Sequence, residues 1–183
     1  MASRLSSALL FLLLCLILRP NAKAQSSLFL PFGTAKPEVI SYLETRDYVR
    51  SLEVDDELSV VRITLAPRKR VEYAFFRNRL YAVTVLQNYT SPVEADQAEE
   101  HLMEYLRSTG APQIQQTGRG AIVCHTAITD SRVMKVFTRT HPDSRSLILS
   151  SISLAHGPEM TEEDMFYEKR LFDLDNTYVL DGN

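Results

Sequence analysis

The sequence predicts an α+β domain, an antiparallel sheet with its helices on one face. Three observations predict it. Short segments of period-2 hydrophobicity recur across tight polar spacers. Two amphipathic stretches with helix-start chemistry interrupt them at about residues 34 and 91. The order helix, four strands, helix, three or four strands segregates the helices from the meanders. Written out, that order is one α-β-β-β-β unit repeated in tandem, over 34–87 and 91–154, with pattern shared and residue identity negligible.

The elements follow from local chemistry. Residues 25–32 form an apolar lead, read as an edge strand or a docked arm. Gly33 and Thr34 open a helix with Thr34 as N-cap, Pro37 in the first turn, and Val39, Ile40 and Leu43 inward, ending near Thr45. Strands are expected over 48–54, 58–65, 71–76 and 80–87. Val61, Ile63 and Leu65 share one face, as do Val71, Tyr73 and Phe75, and then Tyr81, Val83 and Val85. Asn78, between Arg77 and Arg79, suits a tight turn because Asn accepts a left-handed backbone. Pro67 with Arg68, Lys69 and Arg70 makes a basic turn.

Ser91-Pro92-Val93-Glu94 is a capping box with proline at the first helical position. It starts a helix over 92–109 with Ala95, Ala98, Leu102, Tyr105 and Leu106 inward, stopped by Gly110 and Pro112. Strands are expected at 113–116, 121–128, 132–139 and 146–154. Thr161 and the acids after it cap a last helix over 162–171, and 173–183 reads as a loose tail. The folded domain thus spans 25–172.

Residues 1–24 read as an export signal. Arg4 stands before an apolar run, residues 8–18, and Ala22-Lys23-Ala24 puts small residues where a signal peptidase reads. The run holds 11 residues, short of the roughly 20 a spanning helix needs. Cleavage at Ala24 would leave 17 Lys+Arg against 23 Asp+Glu, a formal −6. That balance argues against nucleic-acid binding, which needs a basic field. No later run is long enough to span a bilayer, so the expectation is an exported protein, periplasmic or secreted. Cys124 would be the lone cysteine after cleavage, unable to form an internal disulfide and read as a buried small hydrophobe.

Chemistry-bearing motifs are scarce. The sequence has no G-x-S-x-G, P-loop, G-x-G-x-x-G or H-E-x-x-H. Cys124 and His125 are adjacent on a strand, so their side chains point to opposite faces. His101 and Glu104 share a helical face but lack the further carboxylates of a di-metal bundle. Asp173 and Asp175 lack the glycine and closing glutamate of a calcium loop. Asn88-Tyr89-Thr90 fits a glycosylation sequon. No catalytic, cofactor-binding or metal residue is assigned, and no cofactor is expected.

The stretch 33–39 (Gly33-Thr34-Ala35-Lys36-Pro37-Glu38-Val39) and the aromatic hairpin 73–80 (Tyr73-Ala74-Phe75-Phe76-Arg77-Asn78-Arg79-Leu80) carry a family resemblance. Over about 32–87 the chain resembles the envelope modules related to the β-lactamase-inhibitor protein and to the SmpA/OmlA outer-membrane assembly factors. The resemblance implies a protein-binding envelope module and carries over no site residue. Cys15 lacks a lipobox setting, unlike the lipoprotein assembly factors, and Cys124 cannot supply the disulfides of the inhibitor domains.

The leading expectation is therefore an exported, non-enzymatic binding or accessory module of a bacterial cell envelope, with an envelope or secreted protein as partner. A wet sheet face opposite the helices would make the contact through Arg62, Glu72, Ala74 and Phe76. The alternatives are a small-ligand or lipid carrier, with a helix/sheet pocket lined by Tyr42, Tyr81 and Tyr105, and a hydrolase without a recognisable motif.

Overall fold

Eight strands form one antiparallel sheet in the order β1-β2-β3-β4-β8-β7-β6-β5. The structure is a computed structural model and describes residues 28–161. The expected export signal, the helix expected at 162–171 and the tail expected at 173–183 lie outside the described residues. The first meander is β1 (Ser51–Asp55), β2 (Val60–Ala66), β3 (Lys69–Phe76) and β4 (Arg79–Tyr89). The second is β5 (Ile114–Arg119), β6 (Ile122–Ile128), β7 (Arg132–Thr140) and β8 (Arg145–Ser153). Helix α1 (Lys36–Glu44) precedes the first meander and α2 (Pro92–Ser108) precedes the second. The two meanders join where β4 pairs with β8, from Ala82 opposite Ile152 to Tyr89 opposite Arg145.

Both helices pack on the same sheet face. Val39 and Leu43 of α1 are buried with Val61, Ile63, Val71, Tyr73, Val83 and Val85. Ala98, Leu102 and Leu106 of α2 are buried with Met134, Val136, Leu147 and Leu149. Val85 and Leu149 are cross-strand partners, so the two clusters line one continuous face. The lead 28–32 is a docked arm, not an edge strand. Phe29 packs against both clusters, and the Tyr73 hydroxyl donates to the Leu28 carbonyl at 3.0 Å.

Local chemistry fixes the α2 ends as expected. The Ser91 hydroxyl accepts from the Glu94 N–H at 3.4 Å, and Gly110 takes a φ of +77°. Arg145 on β8 reaches Asp96 and Glu99 of α2, and Glu99 also accepts from the Thr138 hydroxyl at 2.8 Å. The hairpin turn at Arg77 and Asn78 has φ of +48° and +63°, the positive pair a two-residue turn demands.

Two expectations are corrected. Helix α1 starts at Lys36 with Ala35 as an N-cap lacking a side-chain bond. Thr34 instead donates its hydroxyl to the Pro31 carbonyl at 2.6 Å, closing the turn that Gly33 makes at φ +87°. A Cβ on Gly33 would also meet the His156 ring at 3.0 Å, so only glycine fits there. The second correction concerns Tyr81. The β3–β4 register pairs Ala74 with Ala82 and then Phe75 with Leu80, leaving Tyr81 as the extra residue of a bulge. Leu80 therefore joins Val83 and Val85 in the helix-side core, while Tyr81 packs against the other face.

Candidate functional site

The sheet face away from the helices holds the unexpected chemistry. Following the register from strand to strand, Glu53 faces Arg62, Arg62 faces Glu72, and Glu72 faces Thr84. Thr84 faces Ser150, Ser150 faces Lys135, Lys135 faces Thr126, and Thr126 faces Gln115. Every strand thus gives one polar residue to a single row crossing the whole sheet. Apolar rows flank it. Val60, Ala74, Ala82, Ile152 and Val133 lie on one side, and Leu86, Ile148, Phe137 and Cys124 on the other.

Alternation dictates this stripe, because residues i and i+2 share a face. On β7, Val133, Lys135 and Phe137 are consecutive on it. On β3, Arg70, Glu72 and Ala74 are. A lysine between two large apolar residues at i±2 is the sequence signal for Lys135.

The row is largely sealed. Lys135 is 0% exposed, Ser150 and Thr126 are each 1% exposed, and Glu72 is 6% exposed. This corrects the expectation of a wet face. Two apolar rows on a sheet face demand cover as much as the helix-side core does.

Of the four expected contact residues, the fold joins two directly. Arg62 Nε donates to Glu72 Oε2 at 2.9 Å, and Arg62 Nη1 lies 3.3 Å from Asp55 Oδ2. Ala74 shares their face but is buried among Val60, Ala82 and Ile152. Phe76 sits at the end of β3, half-buried, with the Arg77 guanidinium 5.1 Å from its ring centroid. The three tyrosines of the expected pocket are not brought together. Tyr42 packs in the α1 cluster and Tyr105 in the α2 cluster, while Tyr81 lies on the opposite face.

Asp55 anchors the open end of the row. A hydrogen bond from the Leu58 N–H, at 2.9 Å, and then Arg62 hold its carboxyl below the usual carboxylate range. A depressed folded-state value stabilises above the unfolded value and loses that contribution as pH falls through the folded one. Carboxyl NMR titration should therefore give Asp55 a midpoint below 3.8, and Arg62→Met should move that midpoint upward. An unmoved midpoint in Arg62→Met would assign the effect to the backbone N–H groups of Leu58 and Glu57.

The hydroxyls of Thr84 and Ser150 share a hydrogen bond at 3.1 Å, and Cys124 Sγ lies 3.5 Å from Thr126 Oγ1. Lys135 and Ser150 are cross-strand partners, and both are buried. Cys124 and His125 point to opposite faces, as strand alternation requires. Among the described residues, no group of three or more His, Cys, Asp or Glu could hold a metal ion. Among them, too, no helix is long and apolar enough to cross a membrane.

The reachable part of this end of the sheet is its corner. β1 is an edge strand, with no outer neighbour among the described residues. Val54 is 44% exposed and Leu58 57% exposed, two of the three large apolar side chains exposed among the described residues. The Phe75 N–H donates to the Ser59 carbonyl at 2.9 Å, which brings the β1–β2 turn against the end of β3 and thus near Phe76. No family model, curated protein or solved structure matches the chain.

Proposed function

We propose that this chain is an exported, non-enzymatic protein-binding or accessory module of the bacterial cell envelope, released by cleavage at Ala24. One observation carries the binding reading. Val54 and Leu58 stand exposed at a sheet edge without an outer strand among the described residues, Val54 on the helix-side face by its pairing with Val61 and the Asp55–Arg62–Glu72 ion pairs on the other face. An unpaired edge offers backbone N–H and C=O groups to an added strand, and exposed apolar side chains give it hold. Glu53 and Asp55 on the same strand discourage indiscriminate edge pairing. The contact surface is thus the β1 edge with Arg62 and Phe76 behind it, while Glu72 and Ala74 support it from below.

The tandem α-β-β-β-β reading belongs to this proposal. Its support is the mirrored strand order, in which 1-2-3-4 meets 8-7-6-5 at the β4–β8 pair. The resemblance to the inhibitor-related and SmpA/OmlA envelope modules points to the same class of function, and its support remains the residues of 33–39 and 73–80.

The test is affinity capture of the tagged protein from a cross-linked envelope extract. A partner protein should be recovered at stoichiometric level and fall at least about 10-fold with Val54→Asp plus Leu58→Asp, a loss of about 1.4 kcal/mol. Recovery unchanged in that double variant would refute the β1 surface. Recovery of no protein at stoichiometric level would refute the binding reading.

A further inference from the structure

Resting on the β1 edge as the contact surface, we propose that the segment it accepts is a basic strand. Its occupant is an extended stretch of a partner protein, with Lys or Arg at alternate positions and apolar residues between them.

β1 has two unlike faces. Leu52 pairs with Ile63 and Val54 with Val61, so both turn to the helix side, where Leu52 packs against the α1 cluster. Glu53 pairs with Arg62 and Asp55 with Val60, so the two carboxylates turn to the other side. A strand added to this edge continues the alternation. Its residues beside Leu52 and Val54 extend the helix-side core and are apolar. Its residues beside Glu53 and Asp55 meet negative charge.

Charge complementarity fixes what those second residues are. Residues 53–57 read Glu-Val-Asp-Asp-Glu. The nearby cations are already engaged. Arg62 lies 2.9 Å from Glu72 Oε2 and 3.3 Å from Asp55 Oδ2, and Lys36 lies 2.8 Å from Asp56 Oδ1. Arg62 is the cross-strand neighbour of Glu53, yet its guanidinium serves those other carboxylates. Glu53 and Glu57 stay exposed. An opposite charge directly across a strand pair stabilises it, and a like charge destabilises it. The register that pairs all of β1 with a second copy sets Glu53 against Glu53, so the edge selects against itself. The far edge of the sheet differs. β5 exposes Gln115, Gln116 and Thr117 and carries no acid, so the preference for cations belongs to β1.

The edge is also preformed. The Leu58 N–H donates to Asp55 Oδ1 at 2.9 Å, and the Phe75 N–H donates to the Ser59 carbonyl at 2.9 Å. Lys36, at the start of α1, fastens Asp56. A strand end held at three points loses little freedom when a partner docks on it.

The test uses the purified full chain and short synthetic peptides in which valine alternates with lysine, with threonine or with glutamate. The lysine peptide should bind at least about 10-fold tighter than the threonine peptide, and the glutamate peptide should bind weakest. Amide exchange should slow at residues 51–55 and not at 114–119. Glu53→Gln with Glu57→Gln should remove most of the lysine peptide's advantage and leave the affinity for the threonine peptide as it was. Equal affinity for the lysine and threonine peptides overturns the proposal. So does an advantage that persists in the double variant, or slowed exchange only away from β1. A dimer in sedimentation velocity whose β1 amides are protected without peptide overturns it too, in favour of a second copy. Failure here is separable from failure of the β1 surface itself. Capture from the envelope extract that falls with Val54→Asp plus Leu58→Asp, but not with Glu53→Gln plus Glu57→Gln, keeps the surface and refutes only its basic occupant.

Discussion

Lys135→Ala is expected to lower the unfolding free energy by about 2–5 kcal/mol, the range for truncating a fully buried long side chain to alanine. Against a typical total of roughly 5–15 kcal/mol, that is enough to leave a large unfolded fraction. The side chain is 0% exposed, between Ser150 and Thr126 across the strands and Val133 and Phe137 along its own. Truncation deletes both the ammonium and the four-carbon stem that fills space between those apolar neighbours. What the ammonium held is then left buried without its donor. Lys135→Met separates the two effects, because it keeps most of the stem and removes only the charge. It should cost clearly less than alanine. Urea unfolding followed by far-UV circular dichroism checks both variants. A loss below about 1 kcal/mol for alanine would mean that the ammonium reaches water in solution, contrary to its burial here.

Local rules carried most elements of the fold into view before the structure. The alternation of Val61 with Ile63, and of Val71 with Tyr73 and Phe75, marks the helix-side face of β2 and β3. The Ser91–Glu94 box marks the start of α2 to the residue. These signals act within a few positions, where periodicity and capping apply. The opposite face was legible only in fragments. Arg62, Glu72 and Ala74 are readable as one face of a meander, but the row they belong to runs on through Thr84 into Ser150 and Lys135. That continuation depends on β4 pairing with β8, a contact between segments about 60 residues apart that no local pattern specifies. Tyr81 shows a smaller version of the same limit. Strict alternation places it with Val83, and one bulge reverses it.

Tyr73→Ala is expected to cost about 3–5 kcal/mol, as for other fully buried aromatic side chains. Tyr73 is 0% exposed at the centre of the helix-side core, opposite Val61 on one strand and Val83 on the other. Its ring packs within the cluster that holds Val39 and Leu43 of α1, so alanine would leave a cavity under that helix. The hydroxyl has a separate role. Burial, with Tyr48 and Tyr42 adding to it, pushes the phenol far above its ordinary value, so it stays protonated and donates to the Leu28 carbonyl. Tyr73→Phe removes that bond and keeps the ring. It should cost about 1 kcal/mol, the usual net worth of one hydrogen bond. The two variants should also differ in where they act. Phenylalanine should raise amide hydrogen exchange chiefly at the 28–32 arm, which that bond fastens across both helix-side clusters. Alanine should raise exchange throughout α1 and β2–β4 as well. Exchange confined to the arm in Tyr73→Ala would mean that the ring contributes little to the core. Uniform exchange in Tyr73→Phe would mean that the arm and the sheet open only together, so that docking of residues 28–32 is part of the folding unit itself.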